Sequence, residues 1–146
     1  MMRIFLLFYG ALILYGCSTG AYDRESELVE YLLHEHNHSE LSDAHIILLL
    51  NRVCTSCSAG TIQKLLSLVD RGKSNTIIIL SSEDEVIRKN LESNKYVTIY
   101  TDKNFAIEKY GLSQVTNIYF KFKRNKIAFW TPIQDETLHK IMRQYE

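Results

Sequence analysis

Apolar and polar positions along this chain switch between two rhythms, and each switch marks an element. From Glu25 to Glu35, Leu28, Tyr31 and Leu32 fall on one face at helical spacing. Asp43 to Leu50 is a near-continuous apolar run, Ile46-Ile47-Leu48-Leu49-Leu50, which suits a central strand buried on both faces. The helical rhythm returns with Ile62, Leu65, Leu66 and Val69, predicting a helix over Cys54 to Val69 that Asp70-Arg71-Gly72 stops. Thr76 to Leu80 reads as a second buried strand. Ser82-Glu83-Asp84-Glu85 matches a capping box that opens a helix carrying Val86, Ile87 and Leu91.

Tyr96 to Tyr100 reads as a third strand, and Asp102 caps a helix through Phe105, Ala106, Lys109 and Tyr110 that Gly111 ends. Thr116 to Phe122 and Lys126 to Trp130 form a hairpin about Lys123-Arg124-Asn125. Thr131-Pro132-Ile133-Gln134 fits a capping box with proline at the first helical position, followed by Leu138, Ile141, Met142 and Tyr145. The expected order is therefore α-β-α-β-α-β-α-β-β-α. Strands separated by helices give a parallel core, and the terminal hairpin adds antiparallel strands.

Composition narrows this picture. A chain of 146 residues fits one domain, and 46% hydrophobic with 23% charged residues lies in the globular range, with no repeat or low-complexity segment. Seventeen basic and seventeen acidic residues cancel, so nothing draws the protein to nucleic acid. Pro132 is the single proline.

The N-terminus is a separate unit. Met1-Met2-Arg3 and the apolar stretch Ile4 to Tyr15 are too short to span a bilayer, which takes about 20 residues, and read as an export signal outside the fold. Its end, Leu14-Tyr15-Gly16-Cys17, resembles the lipobox of bacterial lipoproteins, with Tyr15 bulkier than usual. The resemblance implies a signal peptide over residues 1–16, lipidation of Cys17, a short tether over 17–21 and a folded domain over 22–146. It also implies a domain in the periplasm, held by lipid on the inner or outer membrane of a bacterial envelope. An ordinary signal peptide with a chance cysteine is the alternative. With Cys17 lipidated, the other two cysteines form a closed pair with no odd thiol left in an oxidising compartment.

That pair is the candidate chemistry. Cys54-Thr55-Ser56-Cys57 stands between a buried strand and a helix start, where unpaired N–H groups and the helix dipole stabilise a thiolate. Three uses of the pair stay open: a redox dithiol, a structural or idle pair, and half of a metal site. Arg52 adds a positive charge nearby or is simply solvated. His34-Glu35-His36-Asn37-His38 could chelate one metal only if extended, and otherwise is a polar helix end whose cations suit the C-terminal dipole. Trp130 reads as core and most of the tyrosines as core edges.

The element order, with Cys54-x-x-Cys57 after the first strand and Tyr110-Gly111-Leu112 before the hairpin, resembles the thioredoxin fold and more closely its redoxin-like branch, over about Asp43 to Tyr145. The resemblance implies a three-layer α/β/α sandwich with a mixed central sheet ending in a β-hairpin and C-terminal helix. It implies Cys54 as nucleophile, Cys57 as resolving thiol, no cofactor, and partner proteins of the envelope that carry disulfides or thiols. The family places a cis-proline before the hairpin strand; here Val115 and Thr116 hold the corresponding part of the substrate groove. A cis bond to threonine costs about 3 to 4 kcal/mol, so a trans bond and an altered groove are expected. Val53 replaces the tryptophan usual before the motif, and His45 to Leu50 lacks the family's buried acid. The expected activity is lipid-anchored thiol–disulfide exchange; the alternatives are a thioredoxin-like binding module with an idle dithiol and an envelope copper handler.

Overall fold

In the computed structural model, residues 23–38, 40–50, 59–112 and 117–146 are described. The element order is the expected one: α1 (Glu25–His36), β1 (His45–Leu49), α2 (Ala59–Arg71), β2 (Thr76–Leu80), α3 (Glu85–Leu91), β3 (Val97–Thr101), α4 (Ala106–Lys109), β4 (Ile118–Lys123), β5 (Lys126–Pro132) and α5 (Asp135–Tyr145). The expected signal peptide over 1–16 and tether over 17–21 lie outside the described residues.

The strands form one sheet in the order β3-β2-β1-β4-β5. β1 is parallel to β2, with Ile47 opposite Ile78, and β2 is parallel to β3. β4 runs antiparallel to β1, with Leu48 opposite Ile118, and β5 antiparallel to β4. Every residue of β1 and β2 is buried, as an apolar run closed by layers on both faces requires. Successive side chains therefore serve opposite cores. Ile46, Leu48, Ile77, Ile79, Phe120 and Phe122 pack with Leu28, Tyr31 and Leu32 of α1 and Ala106 and Ile107 around α4. Ile47, Leu49, Ile78, Leu80 and Tyr119 pack with Leu65 and Val69 of α2, Leu91 of α3, and Leu138 and Ile141 of α5. Full burial of each such side chain contributes about 1.5 to 3 kcal/mol.

Several element ends differ from expectation, each for a local reason. α3 is capped by Asp84, whose Oδ1 accepts the Ile87 N–H at 3.0 Å, and not by Ser82. α5 starts at Asp135, not beside Thr131, because Thr131 and Pro132 pair with Tyr119 and Ile118 at the end of β5. The reciprocal cap there is Gln134 with Thr137, three residues later than the sequence motif suggests. β3 is shifted by one residue, to Val97–Thr101.

The helix expected after Asp102 is broken. Asn104 (φ 57°) and Phe105 (φ 52°) are both left-handed, and a 3-10 turn over Lys103–Phe105 precedes the short α4. Phe105 is consequently turned out, 69% exposed. Gly111 (φ 67°) does end α4, and Arg124 and Asn125, both left-handed, make the two-residue turn between β4 and β5.

Candidate functional site

The three parallel strands end in step, Leu49 beside Leu80 beside Thr101. Ser81 N–H donates to Leu49 C=O at 3.2 Å, and Asp102 N–H to Leu80 C=O at 2.8 Å, which levels this end of the sheet. β4 begins at the same end, since Ile118 faces Leu48. The C-terminal ends of parallel strands are where open α/β sheets carry their ligand chemistry.

Two sequence-predicted site segments attach here. Residues 51–58 join Leu50 to Ala59, and residues 113–116 join Leu112 to Asn117. Cys54 and Cys57, with Arg52, Val115 and Thr116, lie outside the described residues, as does Cys17. The described frame around them has a definite polarity. α2 and α5 both begin at this end, and Thr61 in the first turn of α2 donates its hydroxyl to the Asp135 carboxylate in the first turn of α5. α2 has no acidic residue of its own in that turn. Two helix N-termini together favour negative charge, and Asp135 supplies some of it.

A polar group whose place differs from its reading in the sequence lies in the same region. The Ser82 hydroxyl, after β2, is buried and has no hydrogen-bond partner among the described residues. Sequence reading assigned it to a helix cap, a role that Asp84 holds.

A second constellation lies at the end of β3. Asp102 is 7% exposed, and its Oδ1 accepts from Tyr31 OH at 2.9 Å and from Ile107 N–H at 3.0 Å. Since the Tyr31 proton is spent on Asp102, His36 Nε2, 2.9 Å from Tyr31 OH, donates to it and leaves Nδ1 as the ring's acceptor. Burial, then the Asp102 charge, pushes the Tyr31 phenol up. Burial lowers the His36 pKa against the opposing pull of Asp102 and Glu35.

The His36 ring stacks on Tyr100, centroids 4.3 Å apart, and His38 Nδ1 reaches Tyr100 OH at 3.2 Å. A cavity of about 520 Å³ opens beside them, lined by His34, His36, Arg88, Tyr100 and Lys103 among others. The histidine run thus packs on one tyrosine from the helix end. Among the described residues no three histidine, cysteine or acidic side chains are grouped to hold a metal.

The third polar cluster is at the opposite end of the sheet. His45 is fully buried. Lys121 Nζ donates to its Nε2 at 2.8 Å, so Nδ1 carries the proton and donates to Tyr119 OH at 2.7 Å. Tyr145 of α5 lies over the ring with centroids 4.0 Å apart. Burial first, and the Lys121 charge second, push the His45 pKa down to about 3. This cluster ties β1, β4 and α5 together at the end of the sheet opposite Leu49, Leu80 and Thr101. Two tyrosines depart from the core-edge positions expected of most of them: Tyr31 and Tyr119 are fully buried, because Asp102 and His45 satisfy their hydroxyls.

A mixed sheet with three parallel strands, an antiparallel hairpin beyond β1, and helices on both faces defines an α/β protein of thioredoxin-like fold. No protein-family model matches the chain, and no curated protein does. Among solved structures it is similar to a peroxiredoxin-like protein from Aquifex aeolicus, at 17% identity over 72% of this chain and 73% of that one, with a TM-score of 0.43.

Proposed function

We propose that this protein is a lipid-anchored thiol–disulfide exchange protein of the bacterial cell envelope, working through Cys54 and Cys57. The observation that carries the reading is the placement of the motif in sequence. Cys54-Thr55-Ser56-Cys57 belongs to the segment joining the end of β1 to the start of α2 in a thioredoxin-like fold. In the proposed step the Cys54 thiolate attacks one sulfur of a partner disulfide, forming a mixed disulfide and releasing the partner's first thiolate. The Cys57 thiolate then attacks Cys54 sulfur, releasing the second thiolate. The partner gains two electrons and the protein holds a Cys54–Cys57 disulfide, which a membrane dithiol donor reduces again. Val115 and Thr116 would border the partner's chain, and no cofactor takes part. Cys17, acylated, would hold the domain on the membrane, since more than one acyl chain anchors stably.

The test is a Cys57→Ser variant expressed in a bacterial envelope. Mixed disulfides with envelope proteins should accumulate and disappear on reduction, while a Cys54→Ser/Cys57→Ser control accumulates none. An empty trap at full expression rejects exchange. Labelled fatty acid incorporated by the wild type but not by Cys17→Ala tests the anchor separately. Thr116, where the family has proline, favours a second reading, a thioredoxin-like binding module that keeps an idle dithiol. In that case the double variant retains the cellular role.

A further inference from the structure

We propose that the outer edge of β3 is a strand-addition site for an extended polypeptide segment with an uncharged, β-prone centre and an acidic residue at each end. The proposal does not rest on dithiol chemistry. It follows from where the backbone groups of β3 go. Tyr96 C=O accepts Thr76 N–H at 2.9 Å and Asp102 N–H donates to Leu80 C=O at 2.8 Å, so even-numbered residues bond to β2. Val97, Ile99 and Thr101 therefore turn their main-chain groups outward. Among the described residues the contacts that meet them are few: Val97 N–H donates to Asn94 C=O at 3.0 Å, and Arg88 Nη1 reaches Ile99 C=O at a long 3.5 Å. An incoming N–H can replace the Arg88 contact, and Arg88 keeps Glu83 at 2.7 Å and Thr101 Oγ1 at 2.7 Å.

The two edges of the sheet differ in how they resist pairing. β5 carries Lys126 and Pro132, and its ladder with β4 is irregular between Lys121 and Phe122. Such features blunt an edge. β3 is Val97-Thr98-Ile99-Tyr100-Thr101, with no charge, no proline and an unbroken register. A cavity lies on each side of it. The one on the α1 side, about 520 Å³, is lined by His36, Tyr100 and Lys103 among others. The one on the α3 side, about 570 Å³, is lined by Leu91, Val97 and Ile99 with Lys89 and Glu92 at its rim. An added strand sends alternate side chains to opposite faces, so each cavity receives every second residue.

Charge selects the occupant. Exposed Lys95 and Lys103 stand at the two ends of the edge. In a two-fold pairing of β3 with a second copy, centred on Ile99, Lys95 of one copy would face Lys103 of the other, a repulsive cross-strand pair. An acidic residue at each end of a different chain meets both lysines favourably.

The experiment uses the full chain in detergent with Cys54→Ser and Cys57→Ser in place, so that its outcome is separate from exchange activity. The probe is the blocked peptide Glu-Thr-Val-Thr-Val-Thr-Asp, titrated while backbone amide resonances are followed. Saturable shifts at Val97, Ile99 and Thr101 are expected. A probe N-methylated at alternate amides should bind at least about tenfold more weakly. Thr101→Pro, which removes an outward N–H together with the hydroxyl that bonds Arg88 and Glu83, should do the same when measured against Thr101→Val, which loses the hydroxyl alone, and Lys103→Glu should weaken binding several-fold.

Three results overturn the proposal. The first is the absence of shifts at these residues up to about 1 mM probe. The second is equal affinity for the N-methylated probe. The third is self-association that Thr101→Pro abolishes, which would assign the edge to a second copy.

Discussion

At the scale of single residues, Gly111 shows how one backbone angle fixes a neighbour. Its φ of 67° is a conformation that side chains with a Cβ rarely take, and the Arg24 guanidinium donates to its carbonyl from the space a Cβ would occupy. Gly111→Ala should therefore cost about 1 to 2 kcal/mol, read as a lower denaturant midpoint with an unchanged slope. Repeating it in an Arg24→Ala background separates the causes. The clash with a flexible side chain vanishes there, and a residual cost of about 1 kcal/mol from the left-handed backbone should remain. A residue equally telling for sequence reading is His45. Within an apolar run it reads only as the start of a strand, because its partners Tyr119, Lys121 and Tyr145 lie more than 70 positions away.

At the scale of elements, interiors were legible in the sequence and several ends were not. The apolar runs of β1 and β2 and the helical spacing in α1 and α2 are set by burial, which repeats over several residues. An end is decided by one or two hydrogen bonds, and neighbouring residues compete for them. Ser82 and Asp84 illustrate this: both are good capping types, and Asp84 holds the bond to Ile87 N–H while the Ser82 hydroxyl has no partner among the described residues. Asp84→Ala should lower stability by about 1 kcal/mol, whereas Ser82→Ala should leave it unchanged or slightly raised, since it removes a buried hydroxyl without a partner. Thermal melts of the two variants side by side decide the assignment; a loss in Ser82→Ala equal to that in Asp84→Ala would reverse it. Likewise Thr131 and Pro132 have the chemistry of a helix start but are held by the β4 ladder, a long-range pairing that no local motif announces.

At the scale of the whole molecule, the element order and layering followed from periodicity, while the polar clusters at the two ends of the sheet did not, because they form only once strands distant in sequence are aligned. The end holding His45 governs response to acid. The groups facing the imidazole are Lys121 and Tyr119 from β4, and Tyr145 from α5. With its pKa held down to about 3, His45 stays neutral in the folded protein, whereas the unfolded chain binds its proton near pH 6.5. The unfolded state therefore binds more protons between those limits. This contribution to stability is complete above about pH 6.5 and falls as pH drops toward 3, by an amount of order 4 kcal/mol. Denaturant midpoints from pH 7 to pH 4 should fall more steeply for the wild type than for His45→Gln. Parallel curves would show that the imidazole is not the group responsible.

The pairing of β1 with β4 has a further consequence. On one side of that line, β1, β2 and β3 are joined through neighbouring helices; on the other, β4 and β5 are joined by a two-residue turn. Residues that meet across the line, such as His45 and Lys121, are 76 positions apart in the chain. Such pairing between residues far apart in sequence raises the contact order, which slows folding relative to a chain of local contacts. Cut along the same line, the molecule would give a parallel piece and a hairpin piece with α5, and both hydrophobic cores would be opened, since Phe120 and Phe122 on one face and Tyr119 on the other pack across it. Segments 51–58 and 113–116 would then belong to different pieces, and whatever they do together would depend on the concentration at which the halves meet.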